Sequence, residues 1–317
     1  MYISEVLSKQ SPFHIQIFSL HVTGDELRTS LDAALKIGYR HIDTAYIYNN
    51  EDVVGEVLSN WLASGRIKRE ELFVTTKLPG FSHRKAYVEP TLLESLRNLK
   101  LDYIDLYLIH VPMGMKRGTG EIYATENDQV IVDVVDHMET WKAMEEIYKK
   151  GLARSIGLSN FNLLQLQRVV SNCSVKPHNL QANALSLLCQ LYVRRFRKHN
   201  ISFTAYGPLG APYRLKSEAN ESACMPLQDP TVLSIASKLG KSPAQVLLKW
   251  LLQRGIAVIP RSTNENRIRE NFELSDFTLD DADMAALSNV SVRRQLFLYT
   301  WALNHPDHPN TTLVQYF

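Results

Sequence analysis

What most constrains the fold of this chain is a unit that recurs eight times: a short apolar segment paired with an amphipathic helical one. The first helical segment, TGDELRTSLDAALKIG, carries Leu27, Leu31 and Leu35 at intervals of four, can be capped by Thr23 or Asp25, and stops at Gly38. YRHID follows at once as a strand. The same alternation predicts helices near 51–64, 89–99, 138–150, 161–170 and 187–199, and a pair at 229–239 and 243–253. Each is followed by a strand, in turn LFVTTK, YIDLYLIH, ARSIGLS, HNLQAN, ISFTAY and, after the pair, IAVIPRS. FHIQIF at 13–18 supplies a strand ahead of the first helix.

Strands covered by helices on both faces read as unbroken apolar runs, because neither face meets water. Eight such units, with no Pro/Gly/Ser-rich linker and no break in composition, predict an α/β chain folded as one (β/α)8 TIM barrel over 1–317. The competing architecture, a doubly wound open sheet, favours a glycine-rich turn after the first strand. The turn here, Ser19-Leu20-His21-Val22-Thr23-Gly24, has one glycine and no phosphate-binding spacing. Two long insertions after strands, 111–135 and 207–228, and the tail after Leu287 are then expected over the C-terminal mouth, where barrel active sites lie.

Charge and hydropathy exclude other classes. Lys+Arg 35 against Asp+Glu 33 gives +2, with 45% hydrophobic residues, which suits neither a disordered chain nor a polybasic partner of nucleic acid. No basic start leads into an apolar run, and no apolar stretch reaches about 18 residues, so a soluble cytoplasmic protein without a membrane partner is expected. Cys173, Cys189 and Cys224 are odd in number and lack ligand spacing, which predicts neither a disulfide framework nor a metal site. The N-x-S/T matches at Asn172, Asn220, Asn289 and Asn310 are read as chance.

In such a barrel the polar residues just past the strand ends point into one mouth. They are Asp43 and Tyr48, Lys77, His110, Ser159 and Asn160, Gln181, Tyr206 and Arg261, in strand order. Singly each has a plain structural reading: a cap for Asp43, a solvated Lys77, a packed Tyr48, a satisfied His110. Together they have chemical content. A phenol titrates near about 10, and an adjacent ammonium stabilises its phenolate, while an imidazole can orient a carbonyl oxygen. Tyr48 as proton donor, Lys77 and Asp43 as its tuning pair and His110 as orienter suit reduction of a carbonyl.

The segments GYRHIDTAYIYNNEDVVG (38–55), LFVTTKL (72–78), LDYIDLYLIHVP (101–112), GLARSIGLSNFN (151–162) and KSPAQVLLKWLLQRGIAVIPRSTNENRIRENFEL (241–274) resemble the aldo-keto reductases, and the resemblance runs from about Gly24 to Leu287. It implies a monomeric enzyme using NADPH/NADP+ on a small-molecule carbonyl substrate, with Asp43, Tyr48, Lys77 and His110 as the catalytic tetrad. Ser159, Asn160 and Gln181 would hold the nicotinamide carboxamide, Tyr206 would stack on the ring, and Ser19 and Leu209 would also touch the cofactor. Arg261, Ser262, Thr263, Arg267 and Asn271 match the adenosine and 2'-phosphate end. Two guanidiniums six residues apart can pair with a dianionic phosphate, so NADPH is expected over NADH.

The chain departs from the family near the substrate. Phe18-Ser19-Leu20 stands where Gly-Thr-Trp is usual, Val111 replaces an aromatic, and Ala182-Asn183-Ala184-Leu185-Ser186 replaces a more polar stretch. A pocket lined by Leu20, Val111, Tyr299 and Trp301 is then wide and apolar, with Phe81, Tyr123 and Tyr213 also able to close over it. It suits a bulky apolar carbonyl such as a steroid-like ketone or an alkenal. A second reading is a catalytically weak NADP(H)-binding barrel with a regulatory or structural role.

Overall fold

The computed structural model describes residues 16–18 (backbone), 22, 24–119, 123–127, 129–183, 199–210, 225–290 and 299–309. Ser19, Leu20, Thr23, Tyr213 and most of the helix expected near 187–199 lie outside the described residues. Strands β1 (Gln16–Phe18), β2 (His41–Asp43), β3 (Phe73–Leu78) and β4 (Leu106–Ile109) precede a small hairpin, β5 (Thr125–Glu126) and β6 (Gln129–Val130). Strands β7 (Ile156–Ser159), β8 (Asn179–Asn183), β9 (Ser202–Tyr206) and β10 (Ala257–Ile259) follow. Apart from the hairpin, the strands form one parallel eight-stranded sheet in the order β1-β2-β3-β4-β7-β8-β9-β10. Strand β1 lies beside β10, so the sheet curls back on itself as the expected barrel.

Helices α1 (Gly24–Ile37), α2 (Glu51–Ala63), α3 (Lys85–Leu99), α4 (His137–Lys149) and α5 (Leu163–Asn172) come before β8, with α6 (Pro230–Leu239), α7 (Pro243–Gln253), α8 (Glu265–Phe272) and α9 (Asp281–Ser288) after β9. Their ends are set by local chemistry. Asn162 and Gln165 exchange side-chain-to-backbone hydrogen bonds of 2.9 Å at the start of α5, and Ser242 with Gln245 repeats the device at α7. Gly38 ends α1 at φ 122, with Phe272 only 3.1 Å from where a Cβ would stand.

Helix α3 begins at Lys85, a turn before the expected 89. Pro90 suggests a first turn but sits inside the helix, where buried Val88, Leu92, Leu96 and Leu99 offset the one ladder bond it removes. The insertion at 111–135 is partly regular: β5 pairs with β6, and Met115 bridges Val132. Strands β2, β3, β4, β7 and β8 are buried along their whole length, as both-face coverage requires.

Candidate active site

Strand register gathers the polar residues. Asp43 pairs in register with Thr75, Lys77 with Leu108, Leu108 with Gly157, Ser159 with Gln181, and Tyr206 with Ile259. Side chains two apart share a face, so Asp43, Lys77, Ser159, Gln181 and Tyr206 project inward, and His110, one residue past β4, and Arg261, two residues past β10, continue the same face. A polar ladder runs below them, from His41 Nε2 to Thr75 Oγ1 at 3.0 Å and from Asn179 Nδ2 to Thr204 Oγ1 at 3.0 Å.

Lys77 is 1% exposed and its ammonium donates to Asp43 Oδ1 and, at 2.8 Å, to the carbonyl of Thr44. Gln181 Nε2 donates to the other oxygen, Oδ2, at 2.8 Å, so both oxygens of the Asp43 carboxylate are engaged. Burial pushes the Asp43 carboxyl up and the Lys77 ammonium down, and their mutual attraction opposes both shifts. Tyr48 sits on a short 3-10 turn, Tyr46–Tyr48, directly after β2. Its hydroxyl lies 3.4 Å from His110 Nε2, and the Lys77 ammonium lies 5.3 Å from its ring centre. Burial first, and the Lys77 charge second, hold His110 well below the usual imidazole range, so it is neutral at neutral pH.

Across the mouth, Asn160 takes a left-handed φ of 65 that turns its amide back toward the strands. Its Nδ2 donates to the His110 carbonyl at 2.8 Å and to Ser159 Oγ at 3.0 Å, while Oδ1 accepts from the Tyr206 hydroxyl at 2.7 Å. Arg261, Ser262 and Thr263 follow β10. Asn264 caps α8, and Arg267 Nε donates to Ser262 Oγ at 3.3 Å on an exposed surface. Asn271 is buried farther along α8, and Leu209 packs against the core beyond β9.

An aromatic row walls the mouth on one side. Tyr46 meets Phe81 edge-on, Phe81 meets Tyr123, Tyr123 stacks on Trp301 at 5.6 Å and 17°, and Trp301 meets Tyr299. Val111 packs into this row with Met113, Met115, Val130 and Ala302, which brings the tail and the 111–135 insertion together as expected. Burial, then the nearby Tyr206, Tyr48 and Tyr123, push the Tyr299 phenol well up. Among the described residues no group of His, Cys, Asp and Glu is arranged to hold a metal ion, and no helix is long and apolar enough to cross a membrane.

The family model described as "Aldo/keto reductase family" matches residues 16–291. The chain belongs to that family. It is 38% identical over 302 residues to aldo-keto reductase family 1 member C18 of Rattus norvegicus, covering 92% of each protein. It is 40% identical over 268 residues to aldo-keto reductase family 1 member A1 of Xenopus tropicalis, covering 84% of this chain and 81% of that one. A solved structure of the aldose reductase from Schistosoma japonicum superposes with a TM-score of 0.85 at 38% identity, covering 94% and 95% of the two chains. Membership makes the chain an oxidoreductase of the carbonyl–alcohol class.

Two features of this aldo/keto reductase escape the strand-end reading. The Thr44 carbonyl fixes Lys77 through the backbone, which no side-chain pattern signals. Glu51, 3% exposed on α2, accepts from Thr76 Oγ1 at 2.5 Å, beside the lysine. A carboxylate in the first turn of a helix reads as dipole compensation, so only the fold reveals its burial.

Proposed function

We propose that the chain reduces aldehydes and ketones to alcohols with NADPH, with Tyr48 giving the proton. The observation that carries this is the Tyr48 hydroxyl 3.4 Å from a neutral His110 Nε2, with the Lys77 ammonium behind the phenol. A carbonyl oxygen placed between these two groups accepts a hydrogen bond from each. His110 stays neutral, so it orients the oxygen without giving up a proton. As negative charge grows on the oxygen, Tyr48 transfers its proton, and Lys77, held by Asp43 and Thr44, stabilises the phenolate left behind.

The donor set at the mouth fits a nicotinamide nucleotide. Ser159, Asn160 and Gln181 are neutral donors and acceptors on one rim, matched to a carboxamide, and the Tyr206 ring is next to them. Arg261, Ser262, Thr263 and Arg267 offer cations and hydroxyls at a helix start, matched to a 2'-phosphate. NADPH, when bound, supplies hydride to the carbonyl carbon. The aromatic row and Val111 give the opposite wall an apolar character, which supports a bulky apolar carbonyl as substrate.

Mixing the purified protein with NADPH and a panel of aldehydes and ketones, and following the reduced-nicotinamide absorbance, tests this reading. Turnover of apolar aldehydes and ketones is expected. Absence of turnover across the panel, with the nucleotide bound, would overturn it.

A further inference from the structure

A second concavity lies on the flank of the barrel, outside the catalytic mouth. It measures about 640 Å³, within the range of small-molecule sites, and runs between α3 and the 111–135 insertion. None of the tetrad lines it; Phe81, Tyr87, Pro90, Leu93 and Met115 give it an apolar floor and rim. Tyr87 and Leu93 remain 54% and 39% exposed there, on an amphipathic helix that buries Val88, Leu92, Leu96 and Leu99.

Its charges are unbalanced. Arg84, Arg97, Lys116 and Arg117 face only two carboxylates, Glu94 and Asp133. Asp133 is taken by Arg84 in a two-pronged pair. Burial, and then the Glu94 carboxylate beside it, push the Tyr46 phenol up. Arg117 donates to the same phenol oxygen at 3.0 Å and lies 5.0 Å over the Phe81 ring. Arg97, on α3, and Lys116, in the 111–135 insertion, are exposed and line the cavity, and neither has a carboxylate partner among the described residues.

Apolar surface with two uncommitted cations at its edge is complementary to one kind of ligand. We propose that this cavity binds a small amphipathic organic anion, an arene or hydrocarbon carrying a sulfonate or carboxylate. The hydrocarbon part packs on Tyr87, Pro90 and Leu93, and the anionic group sits between Arg97 and Lys116. The site lies apart from the tetrad, and Phe81 and Met115 are shared between its lining and the cluster around Val111 and Tyr123.

The experiment is a calorimetric titration of naphthalene sulfonate into the wild type, the double variant R97E/K116E and the single variant L93E, each saturated with NADPH. These residues are exposed helix and loop positions, so circular dichroism and melting temperature should match the wild type. The expected result is one wild-type site whose affinity falls at least tenfold in both variants, while kcat and KM for carbonyl reduction stay within twofold. Undiminished binding in both variants, or no wild-type heat at millimolar probe, overturns the proposal. The readout is binding to exposed residues, so its failure leaves the reading of the catalytic mouth untouched, and the reverse holds.

Discussion

The side chain of Gln181 on β8 donates to Asp43 on β2 across the barrel mouth at 2.8 Å, while the other Asp43 oxygen meets Lys77. A residue suited to holding the nicotinamide amide is thereby tied to the carboxylate that fixes the lysine behind Tyr48. Replacing Gln181 by Leu leaves a buried carboxylate oxygen unpaired, a cost of about 1–3 kcal/mol. Gln181→Leu is expected to raise KM for NADPH and to lower kcat by roughly fivefold to a hundredfold. Steady-state kinetics check this; a variant that changes KM alone would show that Asp43 does not depend on Gln181.

Tyr48→Phe removes only the hydroxyl that faces His110 Nε2. Carbonyl reduction should fall by about a hundredfold to ten-thousandfold, the range for a lost general acid. NADPH affinity, read by fluorescence titration, should stay within about twofold, because the phenol acts only as charge develops on the substrate oxygen. Ordinary turnover in the variant would reassign the proton donor.

The proposed preference for NADPH rests on Arg261 and Arg267, with Arg267 donating to Ser262 at 3.3 Å where α8 begins. A charge-assisted bond to a phosphate is worth about 1.5–3 kcal/mol, so Arg267→Ala and Arg261→Ala should each weaken NADPH roughly tenfold to a hundredfold. NADH binding should barely change. Equal wild-type affinity for the two nucleotides would remove the basis for the assignment.

The barrel and the strand-end places of the candidate tetrad residues were legible in the sequence because each rests on local signals. Apolar runs such as LYLI and the Leu27, Leu31 and Leu35 period encode elements directly, and Lys77 and His110 follow their strands in sequence. Contacts between distant segments carry no such signal. The Tyr123–Trp301 stack and the Arg117–Tyr46 hydrogen bond depend on how the 111–135 insertion lies against the tail and the turn after β2. The hairpin was hidden for a different reason: Thr125–Glu126 and Gln129–Val130 are too short for an alternating pattern.

His83 adds an acid sensitivity that the catalytic reading does not require. It is 2% exposed beside His137 and His305, and its two ring nitrogens have no partner among the described residues. Burial, then those two histidines, lower it to about 3. The unfolded chain takes up this proton near about 6.5 and the folded chain does not, so stability is full above that pH and falls as pH drops toward 3. By pH 5 the loss from this group is about 2 kcal/mol. His83→Leu should lessen the pH 7 to pH 5 loss by about that amount in urea unfolding, with no penalty at pH 7 from hydrogen bonds, since none is lost. An unchanged difference between the two pH values would show that the other buried histidines, His110 and His305, set the acid limb.

The proposed substrate preference follows from the wall of the mouth. Val111 is 7% exposed, packed into the same cluster as Tyr123, Tyr299 and Trp301, so the surface offered to a substrate is hydrocarbon and ring. Each methylene buried against it contributes about 0.8 kcal/mol, or about fourfold in kcat/KM, until the wall is covered. Efficiency should climb in even steps along a series of straight-chain aldehydes and then level off. Trp301→Ala removes the ring stacked on Tyr123 at 5.6 Å and should flatten the climb for the longer members while sparing the shortest. If glyceraldehyde or xylose is reduced most efficiently and added apolar length lowers kcat/KM, the wall does not bind the substrate's hydrocarbon part.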